Sequence, residues 1–392
     1  MPELKRCAKC VLTETHETIK IDADGVCNIC KQSDVKKRLN WDAKKKELDT
    51  IIQETRGRSV YDCIVPFSGG KDSTWTLYYL IKEYNLNPLV IRFNHGFIRP
   101  ICSRNTIRTM RRLGVDFLDF SPNWHTVQKL MLLSFIEKGD FCWHCHAGVF
   151  SFPMQMAIKY KVPLIVWGEP SSEYSAYYTP GQAEEVDEKR YRMIVDLGLS
   201  IDHIKDKLGD IDLKPFTYPI IDDIRKINLR SICLGSYIPW DTKRQSETIM
   251  QDLGWVGDAV EGIPRQYNYE KIECYMQGMR DYLIYIKKGF GRTTHLASID
   301  IRNGRLGRED ALKMVEEFEN KKPKSLELFL TYLGISIEEF RKIAIRHCVT
   351  PYKHNFKNEG RGELMHDFYR WPKFRRMPRN DAIAIMEKCN VK

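Results

Sequence analysis

Residues 66–75 read PFSGGKDSTW, between the apolar run YDCIVP and the helix-like TLYYLIKEY. A strand that runs into a serine and two glycines and then turns into a helix restricts the fold more than any other feature of the chain. Without β-carbons, Gly69 and Gly70 can take positive φ and let a ligand approach the backbone. The exposed amides and the helix N-terminus form an anion site. Ser68 and Ser73 add hydroxyls, and Lys71 adds a point charge. Asp72 fits beside a phosphate if a magnesium ion bridges the two. The order differs from the G-x-x-x-x-G-K-S/T loop.

Strand and helix patterns alternate from Tyr61. Strands are predicted at 61–67, 88–93, 115–120, 162–169 and 230–237, and helices at 72–84, 102–113 and 124–137. This order predicts an α/β fold with a parallel sheet covered by helices on both faces. Ligands of such sheets bind beyond the C-terminal strand ends. IRFNHGF (91–97) and WGEP (167–170) therefore reach the same rim as the glycine loop, which brings in Gly168 and Glu169. Turn chemistry accounts equally well for Asn94 and His95.

At 392 residues the chain is too long for one ordinary core. The expected order is a cysteine segment (1–31), a helical connector (32–58), the α/β part (59–240) and a mostly helical C-terminal region (241–392). The connector carries Val35, Leu39, Trp41, Leu48, Ile51 and Ile52 at helical spacing. Tyr237, Trp240 and Asp241 of YIPWD fall at the junction, as site residues or as packing. Lysine and arginine exceed acidic residues by 62 to 52, a formal charge of +10 that draws anionic partners. No apolar run resembles a secretory signal or a membrane span, so a cytoplasmic location is expected.

Twelve cysteines, several in C-x-x-C pairs, point to metal or redox chemistry rather than disulfides in such a chain. CAKC (7–10) and CNIC (27–30) have the spacing of a zinc ribbon, in which Cys7, Cys10, Cys27 and Cys30 close a tetrahedral structural site. Gly25 suits the tight turn before the second pair. FCWHCHAG (141–148) adds Cys142 and Cys145 beside His144 and His146. Three readings stay open there: a second metal site, a redox or sulfur-carrying pair, or a turn with buried thiols. Cys233, near the end of a predicted strand, packs as a small core residue in the plain reading of the residues.

The order S-G-G-K-D-S resembles the PP-loop of the N-type ATP pyrophosphatases, whose members grip the pyrophosphate end of ATP and transfer AMP to an oxygen of the substrate. The superfamily resemblance implies adenine and ribose contacts at Arg92, Phe93 and Asn94. With the cysteine ribbon, YIPWD and KKGFGRTTHLASIDIRNGRLGREDAL (287–312), the chain resembles the N-acetyl sugar amidotransferases of surface-polysaccharide and nonulosonic acid biosynthesis. That resemblance implies ATP and Mg²⁺, an adenylated acetamido oxygen, and displacement of AMP by ammonia to give an acetamidino sugar. The substrate would be a nucleotide- or carrier-linked N-acetyl sugar. Ammonia would come from glutaminase and cyclase-like subunits, since no glutaminase nucleophile motif is evident.

Lys71, Asp72 and Arg292 are the expected catalytic groups, and Arg292 and Arg302 the expected substrate contacts. Lys287, Lys288, His295 and Ser298 are further candidates in the tail, against the alternative of a solvated basic face. The alternative activity is that of a PP-loop tRNA thiolase, in which Cys142, Cys145 and Cys233 would hold an iron–sulfur cluster. A nucleic-acid partner is less expected, because no RNA-binding module is recognisable.

Overall fold

The computed structural model describes residues 4–362 and 374–391. After the cysteine segment come α1 (Asn28–Lys36) and α2 (Trp41–Thr55). The connector is thus two helices, not one. The chain breaks between them, and the Asn40 side chain caps α2 by accepting from the Ala43 amide at 3.0 Å. Leu48, Ile51 and Ile52 of α2 are buried, whereas Val35 lies on α1 and is 52% exposed.

The sheet is built from β1 (Cys63–Pro66), β2 (Pro88–Phe93), β3 (Asp116–Phe120), β4 (Leu164–Trp167) and β5 (Arg230–Cys233). All neighbours pair in parallel, in the order β3-β2-β1-β4-β5. Helices α3 (Lys71–Tyr84), α4 (Pro100–Leu113), α5 (Trp124–Lys138) and α6 (Trp143–Tyr160) fall between the strands. Successive strand residues point to opposite faces. Val65, Val90, Val166 and Ile232 pack with α2 and α3. Ile64, Leu89, Ile91 and Ile165 pack with α5 and α6.

Helix α5 is apolar nearly all round and buried from Thr126 to Ile136. A helix of that kind needs cover on both sides. The sheet side supplies one layer. The C-terminal helices Ser325–Leu333, Ile337–Ala344 and Arg379–Lys388 supply the other, through Phe329, Phe340 and Ile385. The C-terminal helices and the sheet therefore share one core.

In YIPWD, Tyr237 and Trp240 are buried against the sheet, and Asp241 caps the helix Thr242–Leu253 while pairing with Arg305 at 3.1 Å. Packing and capping account for all three. Among the described residues no helix is long and apolar enough to cross a membrane.

The chain runs outward from β1 to β2 and β3, then crosses back to lay β4 on the other side of β1. The strand order thus reverses between β1 and β4, where open α/β sheets form their binding crevice.

Candidate active site

The glycine loop sits in that crevice, between β1 and α3. Gly69 has φ +85°, and a Cβ there would meet Thr106 Oγ1 at 2.8 Å and the Cys102 carbonyl at 2.9 Å. Gly70 is the N-cap of α3 and offers no capping side chain, so the first-turn amides remain for an anion. Trp255 fixes the loop from outside by donating to the Gly69 carbonyl at 3.0 Å. Ser68 and Ser73 face each other with hydroxyls 3.2 Å apart.

Lys71 is 3% exposed. Its ammonium lies 2.8 Å from Asp72 and 3.0 Å from Glu270. Burial opposes its charge, but Asp72, Glu270 and Glu169 outweigh that and raise its pKa well above the usual lysine range. Glu169 follows β4. Desolvation, then the neighbouring Asp72 charge, pushes its carboxyl up to about 7. Gly168 allows this approach, because a Cβ there would lie 2.8 Å from Thr76 Oγ1 and 3.1 Å from the Asp72 carbonyl. The structure thus brings together Ser68, Gly69, Gly70, Lys71, Asp72, Ser73, Gly168 and Glu169.

Arg92, Phe93 and Asn94 are placed otherwise. Arg92 donates to Asp119 through Nε at 3.0 Å and through Nη2, and to Thr106 at 3.2 Å. Phe93 turns to the opposite face and packs on Phe120, Phe152 and Phe216. Asn94 accepts from the Gly96 amide at 3.0 Å, an ordinary turn contact. Alternation along β2 sends the first two into the layers above and below the sheet instead of toward the crevice.

The segment 255–276 covers the loop, and the sequence held no signal for it. It is tied to the turn after β2: Arg99 N donates to the Glu273 carbonyl at 3.0 Å and Tyr275 N to the Phe97 carbonyl at 2.9 Å. This brings Glu270 to Lys71. The Glu273 carboxylate stands over Gly70, where a Cβ would collide with it, and accepts from Ser68 Oγ at 3.3 Å. Glu270 and Glu273 lie in YNYEKIEC, which has no spacing pattern of its own.

Glu169 and Glu270 also line a cavity of about 530 Å³. Its lining carries seven lysines and arginines against four carboxylates: Lys138, Arg190, Lys271, Arg280, Lys287, Lys288 and Arg292 against Glu17, Asp140, Glu169 and Glu270. Arg292 opens the helix Arg292–Arg302 and lies 3.4 Å from Asp281. His295 faces the same space. Arg302 does not line it. It is buried at the other end of that helix and donates to the Glu173 carbonyl at 2.9 Å. Ser298 is buried and accepts from the Val11 amide at 3.4 Å.

The four front cysteines converge. The sulfurs of Cys7, Cys10, Cys27 and Cys30 all lie within 4.8 Å of one another and are buried. Amides of Cys27 and Cys10 donate to Cys7 Sγ at 3.2 and 3.4 Å, as in a knuckle that binds metal through thiolates. Gly25 takes φ +77° and accepts from the Ala8 amide at 2.7 Å. Four soft donors so close together fit zinc, which supplies a closed tetrahedral structural centre when bound. The loop between the knuckles also walls the large cavity: His16 stacks on Phe290, and Glu17 pairs with Lys288.

The middle cysteines start a helix. Cys142 is the N-cap of α6, which extends to Tyr160 although Pro153 lies inside it. Cys233 is not beside this pair. It ends β5, where its sulfur accepts from Arg190 at 3.4 Å. The cysteine that shares a cavity with Cys142 and Cys145 is Cys274. As a single cysteine, far along the chain and outside any C-x-x-C, it gave no signal in the sequence.

Residues 261–369 match the family described as LPS biosynthesis protein WbpG-like, C-terminal domain. The uncharacterized protein MJ1599 of Methanocaldococcus jannaschii is 29% identical over 115 residues, which are 29% of this chain and 41% of that protein. The chain thus matches less than half the length of this relative. NMN synthetase from Francisella tularensis is similar over 54% of this chain and 95% of that one, at 10% identity and a TM-score of 0.28. The U34-tRNA thiolase NcsA from Methanococcus maripaludis, with its 4Fe-4S cluster, is similar over 82% and 90%, at 13% identity and a TM-score of 0.28. The region that matches the WbpG-like C-terminal domain thus follows a five-stranded parallel sheet and a four-cysteine N-terminal segment in this chain.

Proposed function

We propose that the protein is an ATP-dependent, AMP-forming amidotransferase that turns the acetamido group of an N-acetyl sugar into an acetamidino group. One observation carries this reading. Glu270, which pairs with Lys71 of the glycine loop, and Glu169 also line a basic cavity walled in part by residues of the WbpG-like region. ATP at the loop and an anionic, carrier-linked sugar in the cavity would then meet at those two carboxylates.

In this scheme the loop amides and Lys71 hold the pyrophosphate end of ATP, with Asp72 as a ligand for Mg²⁺. The amide oxygen attacks the α-phosphorus, and pyrophosphate leaves. Negative charge growing on the phosphates is stabilised by the amides and by Lys71. Ammonia then adds to the adenylated carbon, and AMP departs. Arg292, in the lining of that cavity, orients the acceptor. Arg302 is too far into the interface with Glu173 for the contact first expected of it. Zinc at the four cysteines, glutaminase and cyclase-like partners for ammonia, and a cytoplasmic location belong to the same proposal.

The test is pyrophosphate and AMP release from MgATP with a panel of nucleotide-linked acetamido sugars and ammonium. AMP release should require sugar and ammonium together, and a product in which NH replaces the acetamido oxygen should appear. AMP release driven by tRNA and sulfide instead would replace this reading by a sulfur transferase, which the thiol-lined cavity beside the acceptor space favours.

A further inference from the structure

We infer that Glu273 is a specificity-determining residue of the glycine loop: its carboxylate covers Gly70, turns away polyphosphates without a metal, and yields to a nucleotide that brings its own divalent cation. The role rests on the loop being an ATP site and not on the acceptor chemistry. The start of α3 presents first-turn amides suited to an anion, and a carboxylate from a distant segment already stands there. A Cβ on Gly70 would fall 2.5 Å from Glu273 Cδ and 3.0 Å from its Cγ. Ser68 Oγ donates to Glu273 Oε1 at 3.3 Å and accepts from the Gly70 amide at 3.2 Å. Any phosphate that approaches Gly70 must therefore displace this carboxylate.

The backbone behind Glu273 is pinned. Arg99 N donates to the Glu273 carbonyl, Tyr275 N donates to the Phe97 carbonyl, and Cys102 Sγ donates to the Ile272 carbonyl at 3.5 Å. Ile272 is fully buried, whereas Glu273 is half-buried. Displacement is thus a rotation of one side chain, not the opening of a segment. Charge decides which ligand can drive it. Lys71 already serves Asp72 and Glu270 at 2.8 and 3.0 Å, and Glu273 adds a further carboxylate at the loop. A bare polyphosphate adds more negative charge to this group, and like charges at such range repel strongly. A divalent cation on the phosphates offsets that repulsion. It also suits Asp72, whose buried Oδ1 makes no hydrogen bond among the described residues. Repulsion built against the wrong ligand is a recognised source of selectivity.

The experiment is calorimetry on the full chain with α,β-methylene-ATP, once in magnesium-free buffer and once with excess Mg²⁺. Wild type should prefer the magnesium form. Glu273→Gln should bind the metal-free form about tenfold tighter than wild type or more, and the magnesium form within about threefold of it. Glu273→Asp keeps the charge but draws it back by one methylene, so its gain should be smaller. Thermal unfolding of each variant reports the fold, and if Glu273→Gln does not fold the comparison passes to Glu273→Asp against wild type. Equal metal-free affinity in wild type and variant would overturn the role. So would a loss of about tenfold or more for the magnesium form alone, which would make Glu273 a ligand of the nucleotide's cation instead. A wild type that binds neither form would remove the ATP site and this role with it. Binding with unaltered selectivity would remove this role alone and leave the proposed activity standing.

Discussion

Lys71 Nζ and Glu270 Oε1 lie 3.0 Å apart, joining the glycine loop to the segment that covers it. Among the described residues neither group has another charge of opposite sign as close, apart from Asp72 beside the lysine. Replacing Lys71 by methionine removes the cation and leaves buried carboxylates unpaired. Stability should fall by about 3–5 kcal/mol near pH 8, and by less near pH 5, where carboxylates take up protons. AMP formation should drop by roughly 10² or more. Denaturant titration at two pH values and a pyrophosphate assay check both.

Glu169 has a folded pKa of about 7 against an ordinary 4.5. The folded state therefore holds a proton that the unfolded state has lost between those values. Stability of the nucleotide-free protein should fall as pH rises from 4.5 through 7, by roughly 1–3 kcal/mol. Glu169→Gln should remove that slope and be more stable than wild type at pH 8. Equal pH slopes for the two proteins would contradict the assigned environment.

The two loop glycines should respond differently. Gly69→Ala forces an L residue into φ +85° and drives its Cβ against the Cys102 carbonyl, so a loss of about 2 kcal/mol or more is expected. Gly70→Ala has ordinary φ and meets only the movable end of Glu273, so its stability should stay within about 1 kcal/mol of wild type. Its weaker point is ATP affinity, read by calorimetry, because the new methyl group stands where the phosphates would approach.

Arg92→Ala should leave the KM for ATP within about twofold, since the guanidinium serves Asp119 and Thr106 and not the crevice. It should lower stability by about 1–2 kcal/mol through the lost hydrogen bonds. A large rise in KM with unchanged stability would return Arg92 to the nucleotide site.

Removing metal from the four cysteines should be felt in the acceptor cavity. Arg308 donates to the carbonyls of Cys10 and Cys7 at 3.2 and 3.3 Å, and Thr18 Oγ1 accepts from the Ala176 amide at 3.0 Å. Chelation should raise amide exchange in 292–302 and 171–178 and leave β1 and β2 protected. Uniform loss of protection would mean instead that the ribbon holds the whole fold together.

Much of the architecture was legible because it is local. Runs such as CIVP and PLVIRF are continuous apolar strands, and Ser-Gly-Gly with a following helix leaves few backbone choices. The C-x-x-C spacing of Cys7, Cys10, Cys27 and Cys30 sets two knuckles within reach of one ion. Helix α6 was missed, since Pro153 and the cysteine–histidine run broke its pattern. Arg92 and Phe93 point to opposite faces of β2 by alternation, and only the packed layers decide that Asp119 and Thr106 meet one and Phe120, Phe152 and Phe216 the other.

Strand positions, loop conformation and the cysteine quartet thus follow from short-range chemistry: propensity, glycine sterics and ligand spacing act within a few tens of residues, whereas the pairing of β1 with β4 joins stretches about a hundred residues apart. Which charge meets Lys71, and which third cysteine joins Cys142 and Cys145, depend on how two distant stretches pack around α5 and over the crevice. No local pattern encodes that, because Glu270 and Cys274 are brought into place by burying apolar surface elsewhere in the chain.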